Sequence, residues 1–261
     1  VDALFAVALA GIRDEDDDAF LAHLVELHRR GTEEIFDVAM RLSSSLDVDE
    51  RALGIEVLRE LGPYGPDGRR PFSDRAVPHL LAQLRAERDE RVEQALLQAL
   101  ALNGAREARA EFTARVDHPN VELRRTVAFQ LPSVVDPVEI DTTVSEALET
   151  LCGDADADVR YYALHALVEE GLPIDPDRRT RILTRLRDDP DAQVRDLARE
   201  HAQQPAPKQV VESGTTRVDA EAPERVHIEL DWYDGPRSGI ADVAGVPHYF
   251  QSFNDHRDGD H

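Results

Sequence analysis

One turn-and-helix phrase recurs along this chain and limits what it can fold into. Its clearest copy is Gly153–Gly171, GDADADVRYYALHALVEEG. An acidic turn comes first. Asp156 or Asp158 is placed there to cap a helix by accepting from free N–H groups of the first turn. Val159, Ala163, Leu164 and Leu167 follow at three- and four-residue spacing, so they share one helical face. Gly171 supplies a residue that tolerates the left-handed conformation ending many helices.

The phrase recurs in helix pairs. The spacing predicts pairs at Thr32–Leu42 with Val48–Leu61, Ser73–Leu84 with Asp89–Leu102, and Arg106–Val116 with Asn120–Leu131. Two more follow, Thr142–Leu151 with Asp158–Glu170 and Pro176–Leu186 with Asp191–His201. The second helices align on a first-turn position held by Arg51, Glu93, Arg124, Arg160 and Arg195, in steps of 42, 31, 36 and 35 residues. Two helices per repeat at this period mark an α-solenoid. The long first step is a Gly- and Pro-rich insertion, Gly62–Phe72. Two further helices, Val1–Ile12 and Ala19–Arg30, precede the array.

The segments DADADVRYYALHAL, DPDAQVRDLA and HPNVELRRTVAFQL resemble HEAT repeats, and the resemblance covers about Thr32–His201. It implies an all-α, HEAT-like α-solenoid of about five helix pairs over residues 1–202. In it the apolar residue after each turn packs into the next repeat. Each first-turn arginine reaches turn carboxylates of its own or a neighbouring repeat. Such contacts are expected to be partly exposed and worth at most about 1 kcal/mol each. Glu93 departs from the pattern. The segment ELHRRGTEEIFDVAMRLSSSLDVDERALGIEVLRELG further resembles bacterial HEAT-repeat proteins of unassigned function.

The pattern stops after residue 202. Residues 203–224 are polar and rich in Pro and Ala, which reads as a flexible linker. Residues 225–253 change period: VHIEL alternates as a strand does, Asp234-Gly235-Pro236 and Ala244-Gly245 are turns, and two more strand-like stretches follow. This predicts a small C-terminal β-meander, and WYDGPRSGIADVAGVPHYF resembles a module of uncharacterised bacterial proteins. So few strands need a surface to dock on. Residues 254–261 form an acidic tail.

Charge narrows the function classes. The chain has 30 basic and 53 acidic residues, a net charge of −23. That sign repels phosphate backbones and anionic membrane surfaces, which argues against nucleic-acid or membrane partners. A basic protein partner suits it. Cys152 is the only cysteine, so no intramolecular disulfide forms and a cytoplasmic setting fits. No apolar run reaches the roughly 20 residues of a membrane span. The apolar start, VDALFAVALAG, lacks a basic flank and reads as a first helix.

The chain holds no P-loop, no dinucleotide glycine pattern, no Cys-x2-Cys and no His-Glu dipeptide. No cofactor or metal site is expected. The His-Glu ligands of deoxyhypusine hydroxylase are missing, the charge opposes a DNA-alkylation-repeat glycosylase, and nothing points to a phycobilin lyase. Trp232, Tyr233, Asp234, Arg237, Asp242, His248 and Tyr249 concentrate aromatic, anionic and cationic groups within one short stretch. They form the candidate binding site: rings for contact area, Arg237 and His248 for an anion. The alternative is a mini-core with turn residues. Catalysis by Asp234 or Asp242 with His248 lacks a nucleophile and an oxyanion donor. The expected function is a non-catalytic protein-interaction scaffold. Alternatives are an antitoxin-like or immunity protein covering a basic partner, and a cryptic lyase or hydrolase. On the second helices, Glu56, Arg59, Glu93, Gln94, Gln98, Arg125, Tyr161, His165 and Glu169 are expected to face outward.

Overall fold

The computed structural model describes residues 1–14, 17–65 and 69–202, and the backbone of 225–232, 236–243 and 246–251. The chain divides into two compact units, Val1–Gln209 and Val210–His261.

The first unit is helical. Its helices are α1 (Asp2–Arg13), α2 (Asp17–Arg30), α3 (Glu33–Leu42), α4 (Val48–Arg59), α5 (Ser73–Ala86) and α6 (Glu90–Leu102). Then come α7 (Arg109–Thr113), α8 (Val121–Gln130), α9 (Thr142–Leu151), α10 (Ala157–Val168), α11 (Pro176–Leu186) and α12 (Ala192–Ala202). From α3 onward, α3 packs on α4, α5 on α6, α9 on α10 and α11 on α12. The second helices α4, α6, α8, α10 and α12 pack in sequence, each on the next, and α1 and α2 pack on α4. Leu53, Leu58, Leu96, Leu100, Leu123, Val127, Leu164 and Val194 contribute to one continuous core.

Caps start most of these helices. Asp47, Asp89, Asn120 and Asp156 accept from first-turn N–H groups of α4, α6, α8 and α10, and Asp141 and Asp175 do the same for α9 and α11. Of the two cap candidates for α10, Asp156 is the one used. Glycine sets one tight crossing. A Cβ on Gly54 of α4 would lie 2.3 Å from Ser43 N and 2.6 Å from Ala39 O. Only the missing side chain lets α4 lie against the end of α3.

Asn103, buried after α6, ties three elements together. Its Nδ2 donates to Leu58 O, Arg59 O and Ala99 O, and its Oδ1 accepts from Ser73 Oγ at 2.7 Å. Leu58 and Arg59 end α4, where carbonyls lack intrahelical partners.

The third pair differs from expectation. Arg106–Val116 is a 3-10 turn (Arg106–Ala108) followed by the five-residue α7. Gly104, at φ +62°, ends α6 in a Schellman turn, with Ala105 N–H donating to Leu100 O at 3.0 Å. At the other end the Arg115 guanidinium takes Glu111 O at 2.7 Å, and Arg115 N–H goes to Phe112 O instead. Beyond α8 the chain continues as a 3-10 turn, Leu131–Val134, because Pro132 has no N–H to extend the α-pattern.

A ladder links the repeats. Three positions recur at fixed offsets: Ser45/Asp47/Arg51, Glu87/Asp89/Glu93, His118/Asn120/Arg124, Asp154/Asp156/Arg160 and Asp189/Asp191/Arg195. The first residue of each accepts from the N–H two residues on, at 2.8–3.1 Å. Where the third is arginine, Nη1 donates to carbonyls of its own turn. Nε and Nη2 then grip the next repeat's carboxylate: Arg51 on Glu87, Arg124 on Asp154, Arg160 on Asp189. The first-turn arginines therefore reach both their own and the neighbouring turn.

These rungs are less exposed than the sequence suggests. The side chains of Arg160 and Asp189 are only 11% and 6% exposed. Burial pushes the carboxyls of Asp154 and Asp189 up, but hydrogen bonds from the arginines and turn N–H groups outweigh it and hold both below the ordinary carboxylate value.

The second unit has three described strands, β1 (Arg225–Trp232), β2 (Pro236–Val243) and β3 (Val246–Gln251), antiparallel in the order β1-β2-β3. The β1–β2 register has irregularities between Val226 and Ile228 and from Glu229 to Trp232, whereas β2–β3 runs regularly from Ser238 opposite Gln251 to Val243 opposite Val246. Residues 203–224 and 254–261, read as linker and acidic tail, lie outside the described residues.

Candidate functional site

The ladder sets the register of a second row of side chains. Residues one and five places after the ladder position fall on a common face of the second helices. They are Ala52 and Glu56 on α4, Gln94 and Gln98 on α6, Arg125 and Phe129 on α8, Tyr161 and His165 on α10, and Asp196 and Glu200 on α12. The row crosses all five pairs.

At the α4–α6 end the row borders a cavity of about 390 Å³, walled on its far side by Gly11, Ile12 and Phe20 of the first hairpin. Glu56 lines it. Burial raises the Glu56 carboxyl, and Glu60 adds to this, while the Arg59 guanidinium at 2.7 Å opposes it. Arg59 also donates to Gln98 Oε1 at 3.3 Å, and Gln94 Nε2 donates to Thr126 Oγ1 at 3.0 Å. This end is polar, with its groups largely engaged.

In the middle, Arg125 donates through Nε and Nη2 to both oxygens of Asp156, at 3.0 and 2.8 Å, and through Nη1 to Glu122 at 2.7 Å. The hydrogen bond from Arg125 is the main reason the Asp156 carboxyl is pulled down to about 2, against its burial. One turn along α8, Phe129 stands 58% exposed. Its ring meets Tyr162 edge-on, with centroids 5.3 Å apart and planes at 71°. Tyr161 lies 5.7 Å from Tyr162, and His165 lies 6.2 Å from Tyr161. Four rings from α8 and α10 thus form one cluster beside a row that, apart from Ala52, is otherwise made of charged and amide groups.

The face corrects three sequence expectations. The side chains of Glu56, Arg59 and Glu93 are only 18%, 22% and 13% exposed, and Arg125, which is more open, is engaged by three carboxylates. Phe129 was not among the expected surface residues. An apolar residue within a helix reads as core, and only the ladder register places it beside Arg125 and Tyr161.

Of the C-terminal candidates, Tyr233 and Asp234 lie outside the described residues. The others are placed by backbone register alone: Trp232 opposite Pro236, Asp242 opposite Arg225 and Pro247, His248 opposite Ala241, Tyr249 opposite Ile240, with Arg237 within β2. Among the described residues the register sets none of them directly opposite another. Cys152 is fully buried, and burial pushes its thiol up to about 12. Among the described residues no group of three His, Cys, Asp or Glu side chains is arranged to hold a metal ion, and no helix is long and apolar enough to cross a membrane.

The family model for HEAT repeats matches residues 109–202. Among solved structures, the chain is similar to the E. coli protein YibA, at 17% identity and TM-score 0.59, covering 76% of this chain and 67% of that one. It is also similar to an engineered protein, at 15% identity and TM-score 0.51, covering 77% of this chain and 96% of that one. No curated protein matches this chain. The family match identifies HEAT repeats over residues 109–202, and the likeness to these solved structures is one of fold.

Proposed function

We propose that this HEAT-repeat solenoid is a non-catalytic scaffold that binds protein partners along the face of its second helices. Stacked repeats present long, continuous surfaces, and such folds commonly serve as interaction scaffolds. The observation that carries the reading is the ring of Phe129, 58% exposed and supported edge-on by Tyr162. A solvent-facing aromatic held in a fixed orientation by neighbours loses little entropy on binding and offers large contact area. The C-terminal strands act in this reading as a small meander module, with Trp232, Tyr233, Asp234, Arg237, Asp242, His248 and Tyr249 as a second contact. A cytoplasmic setting fits the single cysteine.

The test is site-specific photo-cross-linking in the cell. A photoreactive residue replaces Phe129 in one full-length chain, Tyr249 in a second and Glu107 in a third. A discrete protein adduct at 129, missing at 107, is the expected result, with the same partner at 249 if the module shares it. Equal trapping at 129 and 107, or none at 129, overturns the scaffold reading.

A further inference from the structure

The row ends on α12 with two carboxylates, Asp196 and Glu200. Both are exposed, and among the described residues neither has a hydrogen bond or ion pair. Other acids of the unit are engaged, Glu87, Asp154 and Asp189 in the ladder, Asp156 and Glu122 on Arg125, Glu169 on His201, so in this row the carboxylates open to a partner lie on α12. By register Asp196 is the equivalent of Tyr161, and Glu200 of His165. The two acids therefore stand one helix along from Tyr161 and His165, about 8–10 Å between axes by the usual spacing of packed helices, and two helices along from Phe129. Arg125, the cation nearest the rings in the row, is held by Asp156, Asp158 and Glu122 and does not neutralise them.

We infer that the α8–α12 end of the row anchors a partner segment that carries arginine. One guanidinium lies over the rings of Phe129 and Tyr161, and the next arginine of the segment faces Asp196 and Glu200. Aromatic faces attract cations, and a guanidinium stacks where an ammonium, small and strongly hydrated, does not. The chain uses the same contact internally: Arg75 sits 4.2 Å over the Phe36 ring and Arg70 4.2 Å over Tyr64. The net charge of −23 draws a cationic segment in and repels a phosphate backbone. Helix spacing sets the segment's pitch, since an extended chain spans one repeat in about three residues. The inference rests on the reading of the second-helix face as an interaction surface and names the chemistry of its partner.

The experiment measures binding of a dye-labelled peptide to the full chain by fluorescence anisotropy. The peptide carries arginine at every third position. A control has citrulline at those positions, which keeps the shape and removes the charge. The arginine peptide is expected to bind at least about tenfold more tightly than the citrulline peptide. Phe129→Ala weakens it about fivefold. The double variant Asp196→Asn/Glu200→Gln weakens it about tenfold and flattens its salt dependence. All these side chains are exposed, and an unchanged thermal melt confirms that the variants fold. No binding of the arginine peptide, equal binding of both peptides, or wild-type affinity in the double variant overturns the inference. If the cross-link at 129 still forms while the arginine peptide fails, the interaction surface stands and only the arginine anchor falls. If both fail, the scaffold reading falls with it.

Discussion

Glu93 accepts a hydrogen bond from Arg115 Nε at 2.6 Å, and this contact runs the ladder backwards. In the other complete rungs the second helix gives the arginine and the following turn gives the carboxylate. Here the second helix gives the carboxylate, the following turn gives the arginine, and His118 stands where the others place an acid. Arg115 keeps the ladder's bonding habit, since it also donates to Glu111 O and Leu84 O.

The inverted rung should behave as a coupled pair. Arg115→Met leaves Glu93 enclosed without its counter-charge and should cost about 2–3 kcal/mol. The double variant Arg115→Met/Glu93→Gln should recover about 1–2 kcal/mol of the summed single costs. Urea unfolding of the four proteins in the cycle decides it. Strictly additive costs would show that the pair contributes nothing as a pair.

Acid should release the turn carboxylates. Asp156 is pulled down to about 2, mainly by hydrogen bonding from Arg125, and Asp154, Asp189 and Glu87 are also depressed. A depressed folded value favours the native state above the unfolded value of about 4 and loses that contribution as pH falls through the folded value. The urea midpoint should therefore fall between about pH 4 and pH 2, and fall less steeply in Asp156→Asn. A midpoint that holds steady across this window would contradict the assignment.

Two glycines should answer differently to the same change. Gly54→Ala drives a methyl into Ser43 N and Ala39 O and should cost about 3 kcal/mol. Gly104→Ala meets nothing within 4 Å and suffers only the penalty of its positive φ, about 1–2 kcal/mol. Thermal melts of the two variants give the order directly.

Cys152 should be inert. With its thiol pushed up to about 12 by burial, iodoacetamide at mildly alkaline pH should leave the native protein unlabelled and label it fully in urea. Rapid native labelling would mean that the α9 end opens readily.

Much of the helical unit is written locally. Caps, glycine stops and three- to four-residue apolar spacing depend on neighbours in the chain, so Thr142–Leu151 and Pro176–Leu186 are legible to the residue. The α7 hairpin is not, because its shape depends on where the Arg115 side chain goes. Glu93 was visible as an exception, and Arg115 was visible 22 residues later, but no period links them. The ring cluster was hidden for a similar reason. Phe129 and Tyr162 belong to different helices, and their meeting follows from repeat stacking, not from either helix alone.

Arg195 is the last ladder arginine. Its Nη1 binds the carbonyls of Asp189 and Pro190 as its counterparts do, but among the described residues no carboxylate of a following repeat fills its fork. At the opposite end Arg13 closes onto Asp47 at 2.9 Å. Among the described residues the arginine–carboxylate rungs thus end at Arg160 and Asp189, and α12 is held to α10 by His201 on Glu169 instead. A weaker lateral tie predicts that backbone amides of α11 and α12 exchange with solvent faster than those of α4 and α6, with the aromatic cluster of α8 and α10 between the two.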